Sequence, residues 1–311
     1  MKQAEAPPNA KWSGPSHAGV KAPDPIVLAD PSRRFAATAK RLDELAAGHP
    51  MEAWLRFMAG LARAQHAVAT TLGPAATLGT DTVAQATEAR LPPLAADGHR
   101  RNVSSRDGLM LLLDRIDVAG LPPPALDAME ALRRGDDATL DRLADNFLRG
   151  RVSTTDAAAA VFVAAALQVY FTCSAARLNV DELRLLEERG LCPCCGSPSV
   201  SGVITASGTT PGTRYLHCSM CSTAWNHVRA VCITCGGTRH LSLQSIEGDN
   251  GLVKAETCAD CHTYSKLFFQ VHDMQADPFA DDLASLGLDL LIAEAGFARH
   301  APNPLLLAGE G

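Results

Sequence analysis

Four Cys-x-x-Cys pairs dominate the chemistry open to this chain: Cys192/Cys195, Cys218/Cys221, Cys232/Cys235 and Cys258/Cys261. Every cysteine of the first two pairs recurs 40 residues later, so Cys192 matches Cys232 and Cys218 matches Cys258. A fixed period of this kind marks duplicated modules. Two thiolates three residues apart on a tight turn can face one ion. The glycines after the second cysteine, Gly196 and Gly236, permit the left-handed backbone such a turn needs. Two turns then close a tetrahedral four-thiolate cage, which suits zinc or a single iron.

Joining the first pair with the second and the third with the fourth yields two equivalent modules, as the repeat requires. Joining first with third and second with fourth yields a cross-braced module instead. The adjacent pairing is favoured, because the segments from Cys195 to Cys218 and from Cys235 to Cys258 are long enough to supply the strands of a ribbon. Cys194 aligns with Thr234, so the repeat leaves it no ligand role. His217, His227, His240 and His262 lie near the cages, but cysteine already fills all eight positions, which places the histidines on the surface or behind the ligands. Cages filled in this way keep no vacant position for a substrate, so they are structural or electron-carrying rather than hydrolytic.

The rest of the composition is that of an ordinary globular protein: 311 residues, 47% apolar, 20% charged, net charge −6. This excludes a disordered chain, a collagen-like chain and a basic nucleic-acid scaffold. Residues 191–270 hold five Lys/Arg and four Asp/Glu, and a divalent ion in each cage brings this region to −3. No basic stripe interleaved with aromatics is present, which disfavours a nucleic-acid-binding zinc ribbon. Gly-x-Ser-x-Gly, Walker and His-Glu-x-x-His signatures are absent too, and no catalytic residue is assigned. The N-terminus lacks the apolar run of a secretory signal. Ser32-Arg33-Arg34 resembles part of an export signal, but Lys40, Arg41, Asp43 and Glu44 follow it and read as a helix. The expected location is the cytoplasm, where cysteine clusters bind metal or do redox chemistry.

The elements that must position these cysteines fall into two textures. Residues 1–28 read as a tail and residues 29–190 as an all-α domain. A helix starts at Asp30-Pro31 with Phe35, Leu42, Leu45 and Ala46 on one face. A second runs from Met51 to Leu72, and residues 75–102 read as mostly loop. Further helices are expected at Leu109–Ile116, Pro122–Leu132, Leu140–Leu148 and Val180–Glu188. Ala157 to Ala176 is 20 residues without charge, long enough to span a bilayer, yet its alanines and Gln168 read as a buried central helix, with Cys173 as a core residue.

After Gly190 short strand-like runs take over: Val200–Thr205, Arg214–His217, Trp225–Val231, His240–Ser245, Leu252–Glu256 and Leu267–Val271. A last helix is expected from Pro278 to about Ala295, with Asp281 and Asp282 at its positive end. The expected class is α+β: a helical bundle, a first four-cysteine module over 191–230, and a second over 231–311 carrying the C-terminal helix.

Several longer stretches resemble the FdhE family, accessory proteins of formate dehydrogenase biogenesis. They include Cys192-Pro193-Cys194-Cys195-Gly196-Ser197, Arg214-Tyr215-Leu216-His217-Cys218, Thr223-Ala224-Trp225, Lys254-Ala255-Glu256-Thr257-Cys258 and Ala280-Asp281-Asp282-Leu283-Ala284-Ser285-Leu286. Arg41-Leu42-x-Glu44-Leu45-Ala46 extends the likeness into the helical part. The resemblance implies rubredoxin-like modules, iron ahead of zinc, and a non-catalytic cytoplasmic role. It also implies binding of the catalytic subunit of a respiratory formate dehydrogenase before twin-arginine export. Tyr215, Trp225 and Arg229, within the densest stretch of likeness, are candidate partner anchors; Tyr215 and Trp225 are equally suited to packing the knuckle. A rubredoxin-like electron carrier is the alternative reading. The oligomeric state is left open, a homodimer included.

Overall fold

The computed structural model describes residues 22–72, 78–208 and 210–306. Helix α1 (Pro31–Ala46) begins where Asp30 accepts the Ser32 N–H at 2.9 Å, with proline at the first helical position. It packs along α2 (Glu52–Thr71), and Leu42, Leu55, Met58 and Leu61 are buried between them and their neighbours. Helices α3 (Thr80–Glu88), α4 (Val103–Arg115), α5 (Pro123–Arg134) and α6 (Asp137–Leu148) follow.

Helix α7 (Ala157–Ala175) is wrapped by α1, α2, α4, α5 and α6, and every residue from Phe162 to Ala175 is buried. It is long and apolar enough to cross a membrane, but 78% of that apolar window is buried inside the protein. Each large side chain it buries, such as Phe162 or Phe171, contributes roughly 1.5–3 kcal/mol. Small alanines between them let the surrounding helices approach closely.

The C-terminal half and one short N-terminal strand form one sheet. Its strands are β1 (Ile26–Val27), β2 (Ser199–Ile204), β3 (Arg214–Cys218), β4 (Ala224–Asn226), β5 (Leu241–Gln244), β6 (Val253–Cys258), β7 (Thr263–Phe269) and β8 (Ala298–Arg299). Their order is β1-β4-β3-β2-β7-β6-β5, with β8 beside β7. The 40-residue shift maps β2, β3 and β4 onto β5, β6 and β7. The two antiparallel units are fused by parallel pairing of β2 with β7, Gly202 opposite Leu267. A Cβ at 202 would lie 2.6 Å from the Leu267 side chain, so a larger residue there forces that side chain to shift. Arg214 also joins the units: its fully buried guanidinium pairs with Glu256 at 2.9 Å.

Several sequence expectations differ from the structure. The tail ends in β1, which pairs with β4 and covers that edge of the sheet; residues 1–21 lie outside the described ones. The loop over 75–102 contains α3, a polar helix that buries only Val83 and so carries almost no apolar periodicity. The helix at Val180–Glu188 reduces to a 3-10 turn over Val180–Glu182. The strand at Trp225–Val231 stops at Asn226, and Ala230 takes a positive φ of 57° as the chain turns into the third cysteine pair. The last helix divides at Ser285 into α8 (Ala280–Ala284) and α9 (Leu286–Glu294), where the Ser285 hydroxyl bonds the Asp281 carbonyl.

Asp281 and Asp282 do more than complement a helix end. Asp281 is gripped bidentately by Arg41 of α1, at 2.7 and 3.0 Å. Asp282, wholly buried, meets Lys266 at 2.9 Å, Arg299, and the Asn303 amide at 2.9 Å. The two carboxylates therefore tie α8 to the helical domain and to the sheet.

Candidate metal centres

Each cage is built from two turns, one before the first strand of its unit and one between the last two. In the first, the Gly196 N–H bonds the Cys192 carbonyl at 2.9 Å and Gly196 takes φ +73°. Its counterpart Gly236 bonds the Cys232 carbonyl at 3.0 Å with φ +72°. The partner turns, after Cys221 and Cys261, place Ser222 and His262 at positive φ without a glycine. Such a conformation costs a non-glycine residue roughly 1 kcal/mol or more, so the surrounding structure must hold it in place.

The sulfur atoms of Cys192, Cys195, Cys218 and Cys221 all lie within 4.8 Å of one another, and so do those of Cys232, Cys235, Cys258 and Cys261. Pairs one and two come together, and pairs three and four. Across the second cage the Sγ–Sγ distances are 3.7 Å (Cys232–Cys261) and 3.8 Å (Cys235–Cys258). A tetrahedron with metal–sulfur bonds of about 2.3 Å has edges of about 3.8 Å. The first cage is tighter, at 3.4 Å for both Cys192–Cys221 and Cys195–Cys218. All eight cysteines are free, and these separations far exceed a disulfide bond. Both clusters could hold a metal ion.

A hydroxyl two residues past the fourth cysteine touches the sulfur in both units: Thr223 Oγ1 lies 3.2 Å from Cys221, and Thr263 Oγ1 3.0 Å from Cys261. Thr223 also reaches Cys194 at 3.4 Å, whereas Thr263 reaches Thr234, the residue in the Cys194 position, at 2.9 Å. Cys194 is fully buried and outside the cage. The four histidines are outside both cages as well. His227 is buried and burial pushes its imidazole down to about 4; His240 is exposed and pairs with Asp260 at 2.7 Å.

The helical domain grips the first cage. The N–H groups of Leu94 and Ala96 donate to the carbonyls of Cys194 and Cys195, both at 2.8 Å. From α7, the Gln168 amide donates to the Ser219 carbonyl at 2.9 Å, while its oxygen accepts from Gln65 of α2 at 2.9 Å. Arg34 of α1 donates to the Ser222 hydroxyl at 2.9 Å. The cysteines of this cage belong to the same apolar core as α1, α2, α4 and α7. Sequence reasoning missed this grip. Its visible signals are Gln168, the one amide in an otherwise uncharged, mostly apolar helix, and Thr172, whose hydroxyl lies 3.3 Å from that of Ser222.

Of the candidate anchors, Trp225 is only 1% exposed and its indole N–H donates to the Arg189 carbonyl at 2.9 Å. It packs the core and is not available to a partner. Tyr215 is half-buried and its hydroxyl donates to the Asp24 carbonyl beside β1 at 2.9 Å. Arg229 alone of the three is exposed.

Comparison with known proteins agrees from residue 23 to residue 306. Residues 23–187 match the family described as FdhE, N-terminal, residues 191–229 its central domain and residues 230–306 its C-terminal domain. Similar relatives include the FdhE homologs of Pseudomonas aeruginosa, 39% identical over 92% of this chain and 94% of that protein, and of Edwardsiella ictaluri, 36% identical over 97% and 98%. The crystal structure of the FdhE protein from Pseudomonas aeruginosa superposes with a TM-score of 0.80 at 34% identity, covering 92% of this chain and 100% of that one. Helical domain, paired four-cysteine clusters and full-length likeness lead to one conclusion: this chain belongs to the FdhE family.

Proposed function

We propose that this chain is a non-catalytic, cytoplasmic accessory protein for the maturation or assembly of a respiratory formate dehydrogenase, binding its catalytic subunit before twin-arginine export. Each four-cysteine cage holds one metal ion, iron ahead of zinc, with Cys192, Cys195, Cys218 and Cys221 as one ligand set and Cys232, Cys235, Cys258 and Cys261 as the other. The observation that carries this reading is the convergence of four cysteine sulfurs, all within 4.8 Å of one another, in each cage: four thiolates on one ion leave no coordination position for a substrate. The bound ions would supply rigidity to two turns that hold residues at positive φ, and the protein's own work is to present a surface.

Arg229 is the exposed candidate on that surface. Capture of the dehydrogenase subunit from cytosol by the tagged full-length chain, with metal measured on the same preparation, tests the reading. Arg229→Glu should weaken capture about tenfold at unchanged metal content and helicity. Capture that survives Arg229→Glu at full strength places recognition away from Arg229. Absence of any dehydrogenase subunit among the captured proteins overturns the proposal. The electron-carrier reading draws support from Cys235, whose exposure gives a partner close approach to the second cage. A reversible visible spectrum and redox-dependent capture would favour it.

A further inference from the structure

The two cages share a ligand set but not an environment. All four cysteines of the first are 0% exposed, walled in by α7, α1 and the segment around Leu94 and Ala96. The second is enclosed on one side only, where Ile233 between its first two cysteines joins the main core. Cys235 is exposed, Cys261 is partly so, and the turn residues Thr234, Gly236, Ala259 and Asp260 are all open to solvent. Gly237 leaves the approach to Cys235 bare, since a Cβ there would sit 3.3 Å from that sulfur. The equivalents of Thr234 and Ala259 in the first cage, Cys194 and Ser219, are buried.

We infer that the second cage is the protein's exchangeable metal site, trading its ion with competing donors while the chain stays folded, whereas the first releases its ion only when the helical domain lets go. This rests on each cage holding one ion, as proposed above. Exchange at a closed four-coordinate site requires one ligand to swing out as an incoming donor takes its place. Cys235 can turn toward water without displacing any other element; no cysteine of the first cage can. Sulfur–metal bonds break one by one as donor–metal bonds form, and the freed thiolates take up protons from water. No electron is transferred. The second cage is thereby the place where the surroundings load, unload or read the metal state, and the first is a fixed part of the core.

The full chain, loaded with two equivalents of zinc, is mixed with excess 4-(2-pyridylazo)resorcinol at neutral pH, and release is followed by absorbance alongside far-ultraviolet circular dichroism. The expected result is two phases of one equivalent each, separated at least 100-fold in rate, with helicity unchanged through the fast phase. Cys235→Ser should abolish the fast phase and keep the slow one. Gln168→Leu, which removes a bond between α7 and the first cage, should accelerate the slow phase alone. A single phase of two equivalents, or loss of the slow phase in Cys235→Ser, overturns the inference and leaves the metal reading standing. Fewer than two equivalents bound at loading overturns the metal reading itself.

Discussion

At the scale of residues, identity in the repeat separates ligand from neighbour. Cys194 and Cys195 are adjacent, equally buried cysteines, yet only Cys195 lies in the cage. Cys218→Ser should therefore lower metal content by about one equivalent and destabilise the first unit by several kcal/mol, since metal binding there is coupled to folding. Cys194→Ser should keep both equivalents, because Thr223 can still serve the hydroxyl that replaces the thiol; elemental analysis of both variants separates them. His227 gives a second residue-scale test. Its imidazole is buried neutral, titrating near 4 because burial and then Arg214 disfavour its charge. The unfolded chain binds that proton near 6.5, so between 6.5 and 4 it holds more protons than the folded chain and stability falls as pH drops. His227→Gln should remove on the order of 1–3 kcal/mol of the loss between pH 7 and 4.5, measured by denaturant unfolding of the metal-loaded protein.

At the scale of elements, the parts with strong periodicity were legible in the sequence and the parts made by long-range contact were not. Phe35, Leu42 and Ala46 mark α1, and an uncharged run of 20 residues marks α7 as a core helix. The 40-residue period of the cysteines indicates which pairs meet, because only adjacent joining makes equivalent units. In contrast, β1 is two residues long and exists only because β4 offers an edge. Helix α3 buries a single residue, so no pattern betrays it. Asp281 reaches Arg41 across 240 residues, and Asp282 reaches back 16 residues to Lys266 on β7; neither contact leaves a local pattern, and a helix-end position is the nearest local explanation. Asp282→Asn tests that tie. Lys266 is wholly buried, and it would keep only Asp289 as a charged partner. The expected cost is about 3–5 kcal/mol in unfolding free energy. A loss under 1 kcal/mol would show that the network is structurally idle.

At the scale of the whole molecule, duplication has produced one sheet rather than two beads. The units lie side by side in the same orientation, joined through β2 and β7 and through Arg214 and Glu256. One unit sinks its four cysteines into the helical domain and the other leaves Cys235 and part of Cys261 open to solvent, so two equivalent cysteine sets have different surroundings. All of this depends on the cages being metal sites with sulfur alone around the ion. X-ray absorption spectroscopy on the anaerobically purified full-length chain, with metal stoichiometry measured on the same sample, tests that most directly. The expected result is about two ions per chain, each surrounded by four sulfur atoms at about 2.3 Å with no nitrogen or oxygen in the shell. A shell containing nitrogen or oxygen, or a folded protein carrying no metal, would contradict it.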